Sequence, residues 1–491
     1  MALSTKTKTF LISCTLMIAY IIADCFFRDS AFTDSNTFAV HLQSNLSSNF
    51  FEIFFIIFCD LLYPIIAAAL LILYYALTFQ KVKTLAFIIY FIIISYLCSI
   101  LKIFYHDPRP YWVNSQVEAK ECYSEYGNPS GHSMMSILLF GMIWMRYVWA
   151  LAKYGEVMFL NGFFHNHTRK DDENNIPLMF PQEDNGYDTV EVFENGLQIK
   201  ESGEKGTNKK NGTINKNENK SLIFIVFSIC LILVEFFILF GRIYLGMHSY
   251  NEVLLGFFYG LFFLIVYYIY LEKLLMDMIE AIIMRHYRYT LIGNYIDWRV
   301  LCILLLSFAF CIIFPIILFE IYKEILTFPQ LWVSNIIKYC PGNTILKMFL
   351  DKCFMDCGVI GTAFGILLGI FFTKGEYYSL TIMYSTQVNP HYLFLKEISF
   401  KKHILRVIIV VIFAGIWAGV FSIIPNNDSA YVGFFVNNLI GTFLSGFFLI
   451  MFVPIVNNKV KMEYEKDFLK YNNGDLIVHN NNSIPYEDVK N

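Results

Sequence analysis

The sequence predicts an all-α polytopic membrane protein of about ten transmembrane helices, and three observations carry that prediction. Of the 491 residues, 56% are hydrophobic and only 16% are charged, where a soluble domain carries about 25% charged residues. The apolar residues gather in runs that approach the roughly 20 residues a spanning helix needs. Those runs are continuous rather than alternating, which points to helices and away from a β-barrel. A net charge of −3 shows no basic excess, so nucleic acid is not an expected partner. The 11 Cys are diluted in this length and fall mostly inside apolar runs, which excludes a secreted disulfide scaffold.

Taken in order, the first run is 10–27, behind a brief polar start. No small-residue cleavage site follows it, so it reads as a span rather than a removed leader. The next three runs are 61–79, 85–105 and 133–151, followed by 221–240, 253–270 and 300–318. The last are 357–372, 404–424 and 432–453. Gly361, Gly365 and Gly369 share one stripe of the eighth run, an arrangement that lets helix backbones approach closely. Residues 156–220, rich in Asn, Lys, Glu and Gly without helical or strand period, read as a disordered insertion. The segment 276–299 mixes apolar residues with Asp277, Glu280, Arg285, His286 and Arg288, the pattern of an amphipathic helix lying at the membrane surface. The expected organisation is a membrane core over 1–275, this interfacial segment, a four-helix membrane region over 300–456 and a disordered tail over 457–491.

Ten spans return both termini to one side. Lys and Arg favour that side by about three to one, which marks it as cytoplasmic. The opposite side receives 28–60, 102–132, 241–252, 319–356 and 425–431. Cys122, Cys340 and Cys353 all fall there, where disulfides persist.

Three polar clusters stand on that same side. Lys102 is followed seven residues later by Arg109-Pro110, at the end of the third span. Asn128-Pro129-Ser130-Gly131-His132 opens the fourth. Gly241-Arg242-Ile-Tyr-Leu-Gly-Met-His248-Ser-Tyr-Asn-Glu252 opens the sixth. Three cations and a hydroxyl suit a phosphate, and two histidines can divide nucleophilic and acid–base work. His248 and Glu252 are four apart, so they are expected on one helical face, the carboxylate holding one imidazole nitrogen. Arg242 and His248 are six apart, so a bend is expected between them, and Gly246 permits it. Pro129 and Gly131 make a tight turn ahead of a helix, whose free N–H groups suit an anion.

The combination resembles the type 2 phosphatidic acid phosphatase superfamily, whose signature is K-x6-R-P, then P-S-G-H, then S-R-x5-H-x3-D. Lys102 to Pro110 matches the first motif and Pro129 to His132 the second, while Arg242 to His248 matches the third in spacing. Gly241 stands in place of the usual Ser, and Glu252 in place of the usual Asp. The resemblance implies a six-helix phosphatase core and a phosphohistidine intermediate, with no metal or other cofactor. It implies His248 as nucleophile, His132 as the acid that protonates the leaving oxygen, and Glu252 as the support of His248. Lys102, Arg109, Ser130, Gly131 and Arg242 would hold the phosphoryl oxygens. The extra C-terminal spans are similar to the longer members of the family, the sphingosine-1-phosphate phosphatases and glucose-6-phosphatases, which face the lumen of the endoplasmic reticulum. A phosphorylated lipid is the expected substrate, with a small phosphate ester or a polyprenyl diphosphate as alternatives and membrane lipids as surroundings. A membrane transporter is the competing reading, with Asp60, Arg146, Glu235, Asn437 and Asn438 as its candidates.

Overall fold

The computed structural model describes residues 5–62, 81–145, 210–279, 298–340, 349–372 and 429–459, with a few isolated positions besides. Every element among them is helical. Seven described helices are long and apolar enough to cross a membrane. The protein is thus an all-α membrane protein, as its apolar runs predict. Most of the expected span at 404–424 and nearly all of the one at 61–79 lie outside the described residues, as do most of the insertion, most of the interfacial segment and nearly all of the tail.

Helix α1 covers Thr5–Asn45 without a break. The sequence pattern ends a span at 27 and leaves the rest as a loop. The helix continues because no Gly or Pro interrupts residues 5–45. Two of its charges also partner each other within the helix, Arg28 bonding Asp24 one turn back at 2.7 Å. Helix α2 is Asn49–Ile56 and α3 is Lys81–Tyr105. The one-turn helix α4, Pro110–Val113, has Pro at its first position. Helix α5 is Gly131–Ile143, α6 is Lys210–Tyr244 and α7 is Tyr250–Val266, extended by a π-helical turn.

Helices α5 and α7 pack closely because glycines face carbonyls. A Cβ on Gly256 would lie 2.5 Å from the Ser130 carbonyl oxygen, and one on Gly260 equally near that of Met134. This contact sets the start of α5 against the start of α7, which carry the second and third motifs.

The C-terminal helices are α8 (Trp298–Ile325), α9 (Gln330–Tyr339), α10 (Phe349–Asp356), α11 (Ile360–Phe372) and α12 (Gly441–Lys459). The Gly361, Gly365, Gly369 stripe lies where a Cβ would meet the carbonyl oxygens of Leu439, Phe443 and Phe447, as expected of helix packing. Helices α9 and α10 brace the segment after Arg109. Asn335 Nδ2 donates to the Trp112 carbonyl at 2.9 Å, and Phe349 packs on the Trp112 ring at 4.3 Å. A disulfide joins Cys122 to Cys340, while Cys353 is free and buried. Gln43 closes the same end from α1, its Nε2 donating to the carbonyls of Glu118 at 2.9 Å and Tyr244 at 2.8 Å. Four of the segments that parity assigns to one side thus meet at one end of the bundle.

Candidate active site

Lys102 stands in the last turn of α3, where a cation is favoured by the helix dipole. The chain leaves the helix at His106, whose backbone lies in the left-handed region at φ 40. Asp107 then ties three elements together. It pairs with Arg28 of α1 at 3.4 Å and accepts from Asn128 Nδ2 at 2.7 Å, beside the second motif. Arg109 caps α4 and turns its guanidinium inward until it is fully buried. Its Nε donates to the Glu125 carbonyl at 2.8 Å and its Nη1 to the Met247 carbonyl at 2.9 Å. Arg109 therefore spans the first and third motifs. Both Arg109 and Arg242 lie against the face of Tyr123, at 5.0 and 5.2 Å from its ring centre.

The expected bend between Arg242 and His248 is present. Helix α6 ends with Gly246 at φ 73. The Gly246 N–H returns to the Ile243 carbonyl, and the Met247 N–H to that of Arg242, which is a Schellman stop. His248 follows outside any helix, and Ser249 caps α7. The expected pairing of His248 with Glu252 is also present, at 3.3 Å from Nδ1 to Oε2. Its cause differs from the expected one, because the two residues do not share a helical face. Glu252 is the third residue of a capping box: its Oε2 accepts the Ser249 N–H at 3.0 Å while its own N–H is bound by the Ser249 hydroxyl. The carboxylate folds back over the helix start and there meets the imidazole. An Asp at this position would lack the length a capping box uses. A Cβ on Gly127 would collide with the Glu252 carboxylate, so this glycine leaves room for the longer side chain.

The second motif forms the N-terminus of α5, with Ser130 as its cap residue. The Ser130 N–H donates to the Glu252 carbonyl at 3.1 Å, which locks the two motifs together. Its hydroxyl does not cap the helix. It accepts instead from the Ser133 hydroxyl at 3.0 Å, so its own proton is left for another acceptor. A Cβ on Gly131 would lie 3.9 Å from Lys102 Nζ, which places the α5 N-terminus beside that cation. His132 is half-buried, and its charge bears on His248.

The three clusters are therefore one site. His248 Nδ1 is turned to Glu252 and its Nε2 faces Arg109 Nη1 at 3.4 Å. Residues 83–275 match the PAP2 superfamily. That stretch contains all three motifs, and the PAP2 superfamily is the one they resemble. No curated protein and no solved structure matches the chain. The PAP2 domain implies phosphatase chemistry on phosphoesters.

Within the PAP2 domain, burial holds the His248 pKa well below 6.5, and the charges of Arg109, Arg242 and Lys102 lower it further. The shift favours the neutral ring, the form in which an imidazole nitrogen can act as a nucleophile. A lowered pKa keeps it neutral as pH falls through 6.5. The acidic limb of kcat/KM, which reports free-enzyme groups, should therefore lie well below 6.5 once corrected for ionisation of the ester. A midpoint at or above that value in the corrected profile would contradict this electrostatic account.

Glu125 is the member of the site that its sequence does not announce. Its Oε1 lies 2.5 Å from Lys102 Nζ and 3.1 Å from Arg109 Nη2. Burial pushes its carboxyl up, but the charges of Lys102 and Arg109 outweigh this and hold the pKa at about 2. Of the candidate transport residues, Glu235 and Asn438 have separate partners. Glu235 accepts from the Ser136 hydroxyl at 2.7 Å, between α6 and α5. Asn438 donates to the Met355 carbonyl at 2.8 Å in the C-terminal region. Arg146 and the Asp60 side chain lie outside the described residues.

Proposed function

We propose that this chain is a metal-independent membrane phosphohydrolase that cleaves a lipid phosphomonoester, such as a sphingoid-base 1-phosphate, through a phosphohistidine. The observation that carries the proposal is the line Glu252–His248–Arg109, at 3.3 and 3.4 Å. One imidazole nitrogen is held by a carboxylate, and the other faces a cation able to bind the group it attacks. In this reading His248 Nε2 attacks phosphorus and the alkoxide departs with a proton from His132. Water then attacks the phosphohistidine, giving a proton back to His132 and releasing inorganic phosphate. Lys102, Arg109, Arg242, the Ser130 hydroxyl and the Gly131 backbone N–H stabilise charge on the phosphoryl oxygens in both steps. Glu252 supports the ring as it becomes positive.

A lipid substrate is supported by the position of the seat. Lys102 and Arg242 stand in the last turns of two apolar helices, and His248 immediately precedes a third. A head-group phosphate would reach them with its chain still in the bilayer. By parity of the expected spans the site lies opposite the cytoplasm, and the resemblance to the longer family members implies the lumen of the endoplasmic reticulum. Metal independence is supported by the three cations, which supply the charge neutralisation a metal would otherwise bring. Among the described residues, no group of three or more His, Cys, Asp or Glu could hold a metal ion.

The test is phosphate release by the purified protein from a sphingoid-base phosphate, phosphatidate, a polyprenyl diphosphate and glucose 6-phosphate. Release is expected to be fastest from the first and to survive EDTA. Loss with chelator and recovery with Mg²⁺ would sink the mechanism. Uptake into liposomes with no phosphate released would favour a transporter.

A further inference from the structure

Lys102 and Arg109 are buried cations whose shared partner is a carboxylate. One oxygen of Glu125 sits on both, at 2.5 and 3.1 Å. In the mechanism above, the same two cations hold a phosphoryl oxygen, so carboxylate and phosphate compete for them. The link of Glu125 to Arg109 is double. Its main-chain carbonyl accepts from Arg109 Nε at 2.8 Å, separately from the carboxylate. The carboxylate can therefore leave while the backbone stays in place. Its side chain keeps 20% exposure, whereas the Arg109 side chain has no exposure.

The geometry points to Glu125 as a specificity-determining residue, an internal anion that substrate must displace from Lys102 and Arg109, so that the site admits phosphomonoester dianions and excludes monoanions. The inference rests on the phosphatase reading of this site. Its physical basis is exchange of one anion for another. Uncovering a buried cation is costly unless a new anion replaces the old one. A carboxylate attached to the protein competes at a high effective concentration. A singly charged diester brings no more charge than it displaces and must also overcome that advantage. A dianion brings a second charge to a seat that also holds Arg242, and so displaces the carboxylate. Glu125 remains ionised across the working pH range, since its pKa is held at about 2. The Cys122–Cys340 disulfide, three residues before it, keeps its segment close enough for the carboxylate to return when phosphate departs.

The test compares the wild-type protein with Glu125→Gln, which keeps the shape but lacks the charge. For p-nitrophenyl phosphate, KM should fall by about tenfold, the scale of one charge-assisted hydrogen bond, with kcat changed far less. Binding is read separately as the rise in melting temperature with inorganic phosphate and with dimethyl phosphate, a monoanion. Inorganic phosphate should stabilise both proteins, and dimethyl phosphate only the variant. If the wild type binds dimethyl phosphate as the variant does, or if Glu125→Gln raises KM, Glu125 merely holds the two cations and the inference is overturned. If Glu125→Gln does not fold, Glu125→Asp serves, because the shorter carboxylate cannot reach both cations. Tighter phosphate binding is then expected, and weaker binding overturns the inference. Absence of phosphate release from the wild type would refute the phosphatase reading itself, while the binding measurements still judge Glu125.

Discussion

His248→Ala is expected to abolish turnover and the trapped phosphoryl group together, with a loss of about 10⁴-fold or more. Its imidazole is held between Glu252 at Nδ1 and Arg109 at Nε2. His132→Ala should fail differently. General acid catalysis contributes about 10²–10⁴-fold, and a poor leaving group depends on it most. The variant should lose most of its rate on an alkyl phosphate and retain a larger share on p-nitrophenyl phosphate. Glu252→Gln should fall between them. A glutamine can still accept the Ser249 N–H and keep the capping box, but it carries no charge to support the imidazolium. The measurements are acid-labile phosphate trapped on each variant and rates on both esters. Trapping that persists in His248→Ala and vanishes in His132→Ala would reverse the two roles.

Arg109→Lys should be nearly as damaging as Arg109→Ala. The guanidinium meets the Glu125 carbonyl, the Glu125 carboxylate, the Met247 carbonyl and the His248 ring at once. A lysine offers one ammonium and no planar fork, so it cannot satisfy this set. Removing one partner from a buried charged network costs about 3–5 kcal/mol. Both variants should lose about 10²-fold or more in kcat/KM, and both should melt earlier, because Arg109 also joins the first and third motifs. The checks are kcat/KM on p-nitrophenyl phosphate and the melting temperature in detergent. A lysine variant with near-normal values in both would show that a point charge suffices there.

Glu252 shows how a correct pairing can be read from sequence through the wrong geometry. Spacing of four predicts contact, and contact is found at 3.3 Å. Yet His248 lies before the helix, and the pairing arises from the Ser249 capping box. The capping pattern was equally present in Ser249-Tyr-Asn-Glu252, and it supplies the reason for a glutamate at this place. The bend at Gly246 was legible because a six-residue gap between two residues serving one site is incompatible with a continuous helix.

By itself the sequence determined the helical membrane class, the three motifs and their presence on one side, because each depends on composition or on residues close in the chain. Apolar length decides what crosses a bilayer, and a motif carries its own turn and cap chemistry wherever it is placed. What only the tertiary structure decided was the company those motifs keep. Glu125 carries no local signal, since a glutamate in a loop is ordinarily solvated. Its importance comes from the fold of 110–130, which returns it to Lys102 and Arg109 under the brace of α9 and α10. The pairing of Cys122 with Cys340, 218 residues apart, and the contact of Gln43 with Tyr244 are of the same kind. Such contacts depend on which helices pack together, and packing among apolar surfaces of similar chemistry is decided by shape summed over many residues rather than by any short pattern.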